Sequence, residues 1–195
     1  MIDKLLTLYR LKDIERAGWL LRGIERPESV ADHSWGTALL CLLYAGREGV
    51  DAGRAVSIAV VHDTAEAITG DSPARVGASG EVVHPAGKAK REAAAVEELF
   101  PQGGAETRGI RELWWEYEHA ETPEARFVRD MNLIDMCLQA LIYEREERYD
   151  PGKGAENFPG FEKLDEFFAT SEKRLSTATG KELFRGLHER YRGLS

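Results

Sequence analysis

Two polar residues stand side by side at the end of the most apolar run in the chain: His62 and Asp63, in AVVHDTAEAITGD. An imidazole and a carboxylate in such surroundings are costly to bury without partners, and the cost is relieved by pairing or by a cation. His33 sits in a similar segment, SVADHSWGTALL, near the start of a helix whose remaining face is apolar. Imidazole and carboxylate ligands from facing helices are how helical bundles build metal centres. Such a centre supports hydrolysis: the metal lowers the pKa of bound water, and an adjacent base takes the proton as the oxygen attacks. Glu66 lies one helical turn from the pair and projects a carboxylate beside it. A plainer reading competes, because a lone histidine is more often a satisfied core or surface residue. His84, His119 and His188 have polar neighbours and read as solvated.

Helices must bring these residues together, since strand signals are scarce and no Asn-Gly or Asp-Gly hairpin turn occurs. A first apolar stripe, Leu5, Leu8 and Tyr9, ends near Gly18. A second helix starts at the N-cap Ser29 and runs to about Gly49. The third, from Asp51 to Ile68, is nearly all apolar in AVSIAVV and is expected to be the central buried helix. Thr69 to Gly87 reads as a loop, and AGKAKREAAAVEELF after Pro85 is strongly helix-prone. Further helices fit 108–119, 123–149, 161–176 and 181–192. The prediction is an all-α helical bundle, one domain over 1–195, with the C-terminal helices at 161–192 packing on a core region at 11–145.

The 195 residues carry 26 Lys and Arg against 34 Asp and Glu, a net charge of −8, which excludes a surface built to neutralise a nucleic acid polymer. The longest uncharged run, Ser34 to Gly46, covers 13 residues, short of the roughly 20 needed to span a bilayer. The start MIDKLLTLYRLKD lacks the features of a secretory signal. Cys41 and Cys137 lie in apolar helical stretches and read as reduced core residues, which fits a cytoplasmic location.

His33, the His62-Asp63 pair with Glu66 three residues on, and Gly70-Asp71-Ser72-Pro73 together resemble the HD-domain metal-dependent phosphohydrolase superfamily. Gly18-Trp19, Arg22-Gly23, Glu28 to His33, and Val128-Arg129 with Gln139-Ala140 narrow the resemblance to its 5′-deoxynucleotidase branch. It spans about Leu11 to Arg145. It implies an all-α fold with the metal site between helices, a divalent cation such as Co, Mn or Mg, with Fe, Ni or Zn as further candidates, and hydrolysis of deoxyribonucleoside 5′-monophosphates to nucleoside and phosphate. It also implies a homodimer, for which Trp114 and Trp115 are candidate contacts, although both fit a core equally well.

Residue by residue, the resemblance makes His33, His62 and Asp63 metal ligands. The fourth ligand is an aspartate in the family, and here that position is Asn132, in Val128-Arg129-Asp130-Met131-Asn132. At about 100° per helical residue Asp130 points away from Asn132, whereas Asp135 shares its face. Asn132 is expected to ligate through its amide oxygen, with weaker affinity for want of a charge; Asp135 is the substitute or a supporting acid. By the same resemblance Glu66 activates the attacking water, and Asp71 protonates the departing sugar oxygen. Trp19 lies against the sugar, and Arg22 and Arg16 are candidate guanidinium forks for phosphate. Lys88 and Lys90 are explained by solvated charge and are left out of the site. The competing functions are another nucleotide phosphohydrolase, pyrophosphatase or phosphodiesterase of the superfamily, a diiron oxygenase, which the few spare histidines disfavour, and a nucleotide-binding module without turnover.

Overall fold

A computed structural model describes residues 2–73, 75–76, 82–104, 107–153 and 158–194. Helix α1 (Ile2–Tyr9) runs into one 3₁₀ turn and stops, because residues 14–16 leave the helix and pair with the segment before the next long helix. Arg16 N–H donates to Glu28 O at 3.0 Å, and Val30 N–H donates to Ile14 O at 2.9 Å. The first stripe therefore ends before Gly18, and the four-residue α2 (Ala17–Leu20) is tied beside the start of α3 (Val30–Glu48).

The limits of α3 are locally encoded. Ser29 Oγ accepts from Asp32 N–H, Asp32 Oδ2 accepts from Ser29 N–H, and Gly49 ends the helix at φ 80°. The helix expected over Asp51 to Ile68 is instead interrupted: α4 is Ala52–Val61 and α5 is Glu66–Thr69. His62 Nδ1 takes Ala59 O at 2.7 Å and Thr64 Oγ1 takes Val61 O at 2.8 Å, both carbonyls that a continuous helix would use for its own ladder. The backbone tightens to i→i−3 bonds, among them Thr64 N–H to Val61 O and Glu66 N–H to Asp63 O.

The loop expected over 69–87 holds a short antiparallel ladder, β1 (Arg75–Val76) with β2 (Val82–Val83). Beyond it come α6 (Lys88–Leu99) and α7 (Arg108–His119). The central buried element is α8 (Pro123–Arg145), not α4; Phe127, Val128, Met131, Ile134, Cys137 and Ala140 of α8 are all buried. Val60 on α4 is largely exposed. Two shorter helices, α9 (Asp165–Glu172) and α10 (Ala178–Arg192), share the main core with α3, α4 and α8 through Phe167, Phe168, Phe184 and Tyr191. A second cluster joins α6 to α7 through Val96, Leu99, Phe100 and Trp114. No described helix is long and apolar enough to cross a membrane.

Candidate metal centre and active-site cavity

Helices α3 and α4 deliver the residues singled out by type and spacing to one point. His33, His62 and Asp63 each offer a ligand atom, and these atoms lie within 4.8 Å of one another. His33 Nε2, His62 Nε2 and Asp63 Oδ2 are buried and lack any hydrogen-bond partner. Asp63 Oδ2 lies 3.2 Å from His62 Nε2 and 3.8 Å from His33 Nε2, and acceptor-capable atoms turned toward each other in an interior repel unless a proton or a cation lies among them.

The far side of each ring fixes its tautomer. His62 Nδ1–H donates to Ala59 O, and His33 Nδ1 pairs with Asp135 Oδ2 at 2.7 Å, so with Asp135 ionised each Nε2 of a neutral ring keeps its lone pair. Burial lowers His33 to about 3, with Arg16 adding to the effect, so its imidazole is neutral as a ligand must be. Burial alone would lower His62 as well, but Asp63 outweighs it and raises the value. Burial opposes charge on Asp63, yet His62 and Arg16 hold it well below the usual carboxylate range.

Asp135 stands apart from the His33–His62–Asp63 cluster and forms a second group of possible ligand atoms with Glu28 and His33. Its carboxylate stands behind His33 as an orienting partner, and burial pushes it up to about 7. It reaches α3 only because residue 36 is glycine: a Cβ there would lie 2.0 Å from Asp135 Oδ1. Asp130 does face away, as the helical geometry requires. It is buried under α10, where its carboxylate accepts the N–H groups of Ser176 and Thr177. Asn132 lines the cavity and its Nδ2 donates to Tyr117 Oη at 2.6 Å. The Tyr117 ring in turn packs on His62 at 5.0 Å between centroids.

A cavity of about 840 Å³ opens from the ligand cluster, lined by Arg16, Trp19, Glu66, Asp71, Lys88 and Tyr117 among others. Glu66 is buried, its Oε2 has no partner, and desolvation with Asp63 and Asp71 nearby pushes it up to about 10. Asp71 Oδ2 accepts the Ala17 N–H at 2.6 Å. Arg16 Nη1 lies 3.6 Å from Asp63 and 3.9 Å from Asp71. Trp19 is 1% exposed; its Nε1–H donates to Glu28 at 2.9 Å while its ring packs on Phe167 and Tyr143.

Two further assignments change. Arg22 is not a free fork for phosphate: it is 1% exposed, lies outside the cavity lining, and is held by Glu166 through Nε and Nη2, both at 2.7 Å. Lys88 belongs to the cavity, 3.6 Å from Glu66, whereas Lys90 is exposed. Only the approach of α6 to α5 places Lys88 there, and a helix reading KAKREAAAVEEL carries no sign of it. His84 also lines the cavity, although exposed. Trp114 is core, which removes it as a surface contact.

An all-α bundle that aims two imidazoles and a carboxylate at one buried point, with a further carboxylate beside them, defines a protein built around a site fit for a divalent cation. The chain belongs to the HD domain family, whose model matches residues 8–168. It is 40% identical over 142 residues to the 5'-deoxynucleotidase hdd1 of Schizosaccharomyces pombe, covering 71% of this chain and 70% of that one. To the 5'-deoxynucleotidase HDDC2 of Danio rerio it is 33% identical over 193 residues, covering 97% and 86%. Among solved structures, the PH0347 protein from Pyrococcus horikoshii OT3 superposes with a TM-score of 0.72 at 33% identity, covering 100% of both chains.

Proposed function

We propose that this protein is a divalent-cation-dependent phosphohydrolase that converts deoxyribonucleoside 5′-monophosphates to deoxynucleoside and phosphate. The observation that carries the reading is the set of three partnerless buried atoms, His33 Nε2, His62 Nε2 and Asp63 Oδ2, within 4.8 Å of one another, of which His62 and Asp63 line the same cavity as Glu66 and Trp19. The relatives named as 5'-deoxynucleotidases support the substrate class.

His33, His62 and Asp63 would hold the cation, with Asn132 able to add its amide oxygen and Asp135 keeping His33 in register. When bound, the ion polarises water and the phosphoryl group and offsets the carboxylates crowded there. Glu66 takes the proton of the attacking water at Oε2, and the water oxygen bonds to phosphorus. As the P–O5′ bond breaks, Asp71 gives a proton to the departing oxygen from Oδ1, since Oδ2 is occupied by the Ala17 N–H. Arg16 meets the phosphoryl charge and Trp19 presents its ring edge to the sugar. Mn, Co and Mg are the candidate ions.

We read residues 1–195 as one domain, because α9 and α10 share a core with α3 and α8. A reducing compartment such as the cytoplasm suits the free, buried Cys41 and Cys137. For a homodimer the candidate contact moves to α3, where Trp35, Leu39, Leu42 and Leu43 form an exposed stripe and Trp35 is 69% exposed.

The test is elemental analysis of the purified protein, followed by phosphate release from deoxy- and ribonucleoside monophosphates with Co, Mn or Mg added. Activity on dAMP or dUMP that disappears in His62→Ala and Glu66→Gln is the expected result. Tight nucleotide binding without phosphate release would replace the enzyme by a binding module.

A further inference from the structure

Tyr117 is not among the residues that motif or spacing singled out, yet it lines the cavity and stands against the ligand His62. The phenol accepts a hydrogen bond from Asn132 Nδ2 at 2.6 Å, its ring packs on His62, and it lines the cavity. A hydroxyl that accepts from an amide N–H cannot give its own hydrogen back to the same nitrogen. Among the described residues no acceptor takes the Tyr117 hydrogen. A cation at His33, His62 and Asp63 would repel the amide hydrogens of Asn132 and favour its oxygen end, which agrees with Nδ2 facing Tyr117. An aspartate at 132 would have no hydrogen to donate and would instead capture the one on Tyr117 Oη.

We propose that Tyr117 is a substrate-binding residue whose Oη–H donates to a non-bridging phosphoryl oxygen, and that Asn132 is the positioning residue that leaves this hydrogen free. The inference rests on the phosphohydrolase reading above and deepens it. Asparagine at 132 thus exchanges charge on the cation site for a neutral donor on the cavity wall.

Calorimetry of the Mn-loaded protein with inorganic phosphate tests this, alongside Mn titration of the metal-free protein and kcat and KM for dAMP. Tyr117→Phe keeps the ring on His62 and removes the donor. It should leave Mn affinity within about twofold and weaken phosphate binding by about tenfold or more, the range for a hydrogen bond to a charged group. In an Asn132→Asp background, where the carboxylate already holds the hydrogen, Tyr117→Phe should change phosphate affinity less than about twofold. Equal phosphate affinity of Tyr117→Phe and the natural protein, with dAMP hydrolysis retained, overturns the proposal alone. The same loss in both backgrounds overturns the part given to Asn132. Failure of the Mn-loaded natural protein both to bind phosphate and to hydrolyse dAMP overturns this proposal together with the reading it rests on.

Discussion

Arg22 offers the sharpest separation between a residue that binds substrate and one that holds the fold. Its guanidinium meets Glu166 through two hydrogen bonds of 2.7 Å, Nη2 also reaches Phe161 O at 3.2 Å, and the group lies 4.7 Å over the Phe158 ring. Both partners are 1% exposed. Arg22→Met keeps much of the volume and leaves Glu166 as a buried carboxylate without its counter-charge. Removing one member of such a pair costs about 3–5 kcal/mol. At roughly 2–4 °C per kcal/mol for a chain of this size, Tm should fall by about 6–20 °C. Replacing both members, Arg22→Met with Glu166→Leu, should recover most of that loss, because neither charge is then stranded. The assay is thermal unfolding of each variant, with KM for dAMP measured well below the lower Tm. The expected KM stays within about threefold of the natural value, since a phosphate contact of the guanidinium type would cost about tenfold or more. A Tm within about 1 °C of the natural protein together with a raised KM would refute the reasoning and return Arg22 to the phosphate.

Gly36→Ala places a methyl group 2.0 Å from Asp135 Oδ1 and must push that carboxylate off His33; Mn affinity should drop about 10–100-fold by calorimetry, and an unchanged value would show that Asp135 does not orient the ligand. Asn132→Asp adds a full charge to the site and should tighten Mn binding by about tenfold or more, whereas equal affinity would show that residue 132 does not touch the ion. Glu66 is pushed up from 4.5 to about 10 in the metal-free protein, so the folded state holds a proton that the unfolded chain releases. Stability from this group is complete below about 4.5 and is lost as pH rises toward 10, and the metal-free Tm should decline over that window more steeply than in Glu66→Gln. Parallel curves for the two proteins would dismiss the buried proton.

The parts of the fold that were legible in the sequence are those written within a few residues. The Ser29–Asp32 capping box and Gly49 fix both ends of α3, and with them the turn that carries His33. The break after Val61 was not legible, because the apolar period runs straight through it. What stops α4 is competition for carbonyls by the His62 and Thr64 side chains, and that competition also aims His62 Nε2 at the ligand cluster. Arg22 and Lys88 were misplaced for a different reason. The partner of Arg22 lies 144 residues away, and Lys88, besides pairing with Glu92 of its own helix at 3.2 Å, meets Glu66 on another helix. Helical geometry did separate Asp130 from Asp135 correctly. It could not show that Asp135 is occupied by His33, since that depends on the absence of a Cβ at Gly36.

The whole-chain charge of −8 also carries less meaning at the site than it does for the surface. The acids expected to act in hydrolysis do not stand in an unrelieved negative field. Arg16 lies 3.6 Å from Asp63 and 3.9 Å from Asp71, and Lys88 lies 3.6 Å from Glu66. Each cation faces the cavity and holds a carboxylate in place before any ion or substrate arrives. Arg16 is long enough that it would be able to exchange Asp63 for a phosphoryl oxygen were a divalent cation to offset the charge of Asp63. An acidic protein can in this way accept a small phosphomonoester, because local cations, Arg16 and Lys88, line the cavity.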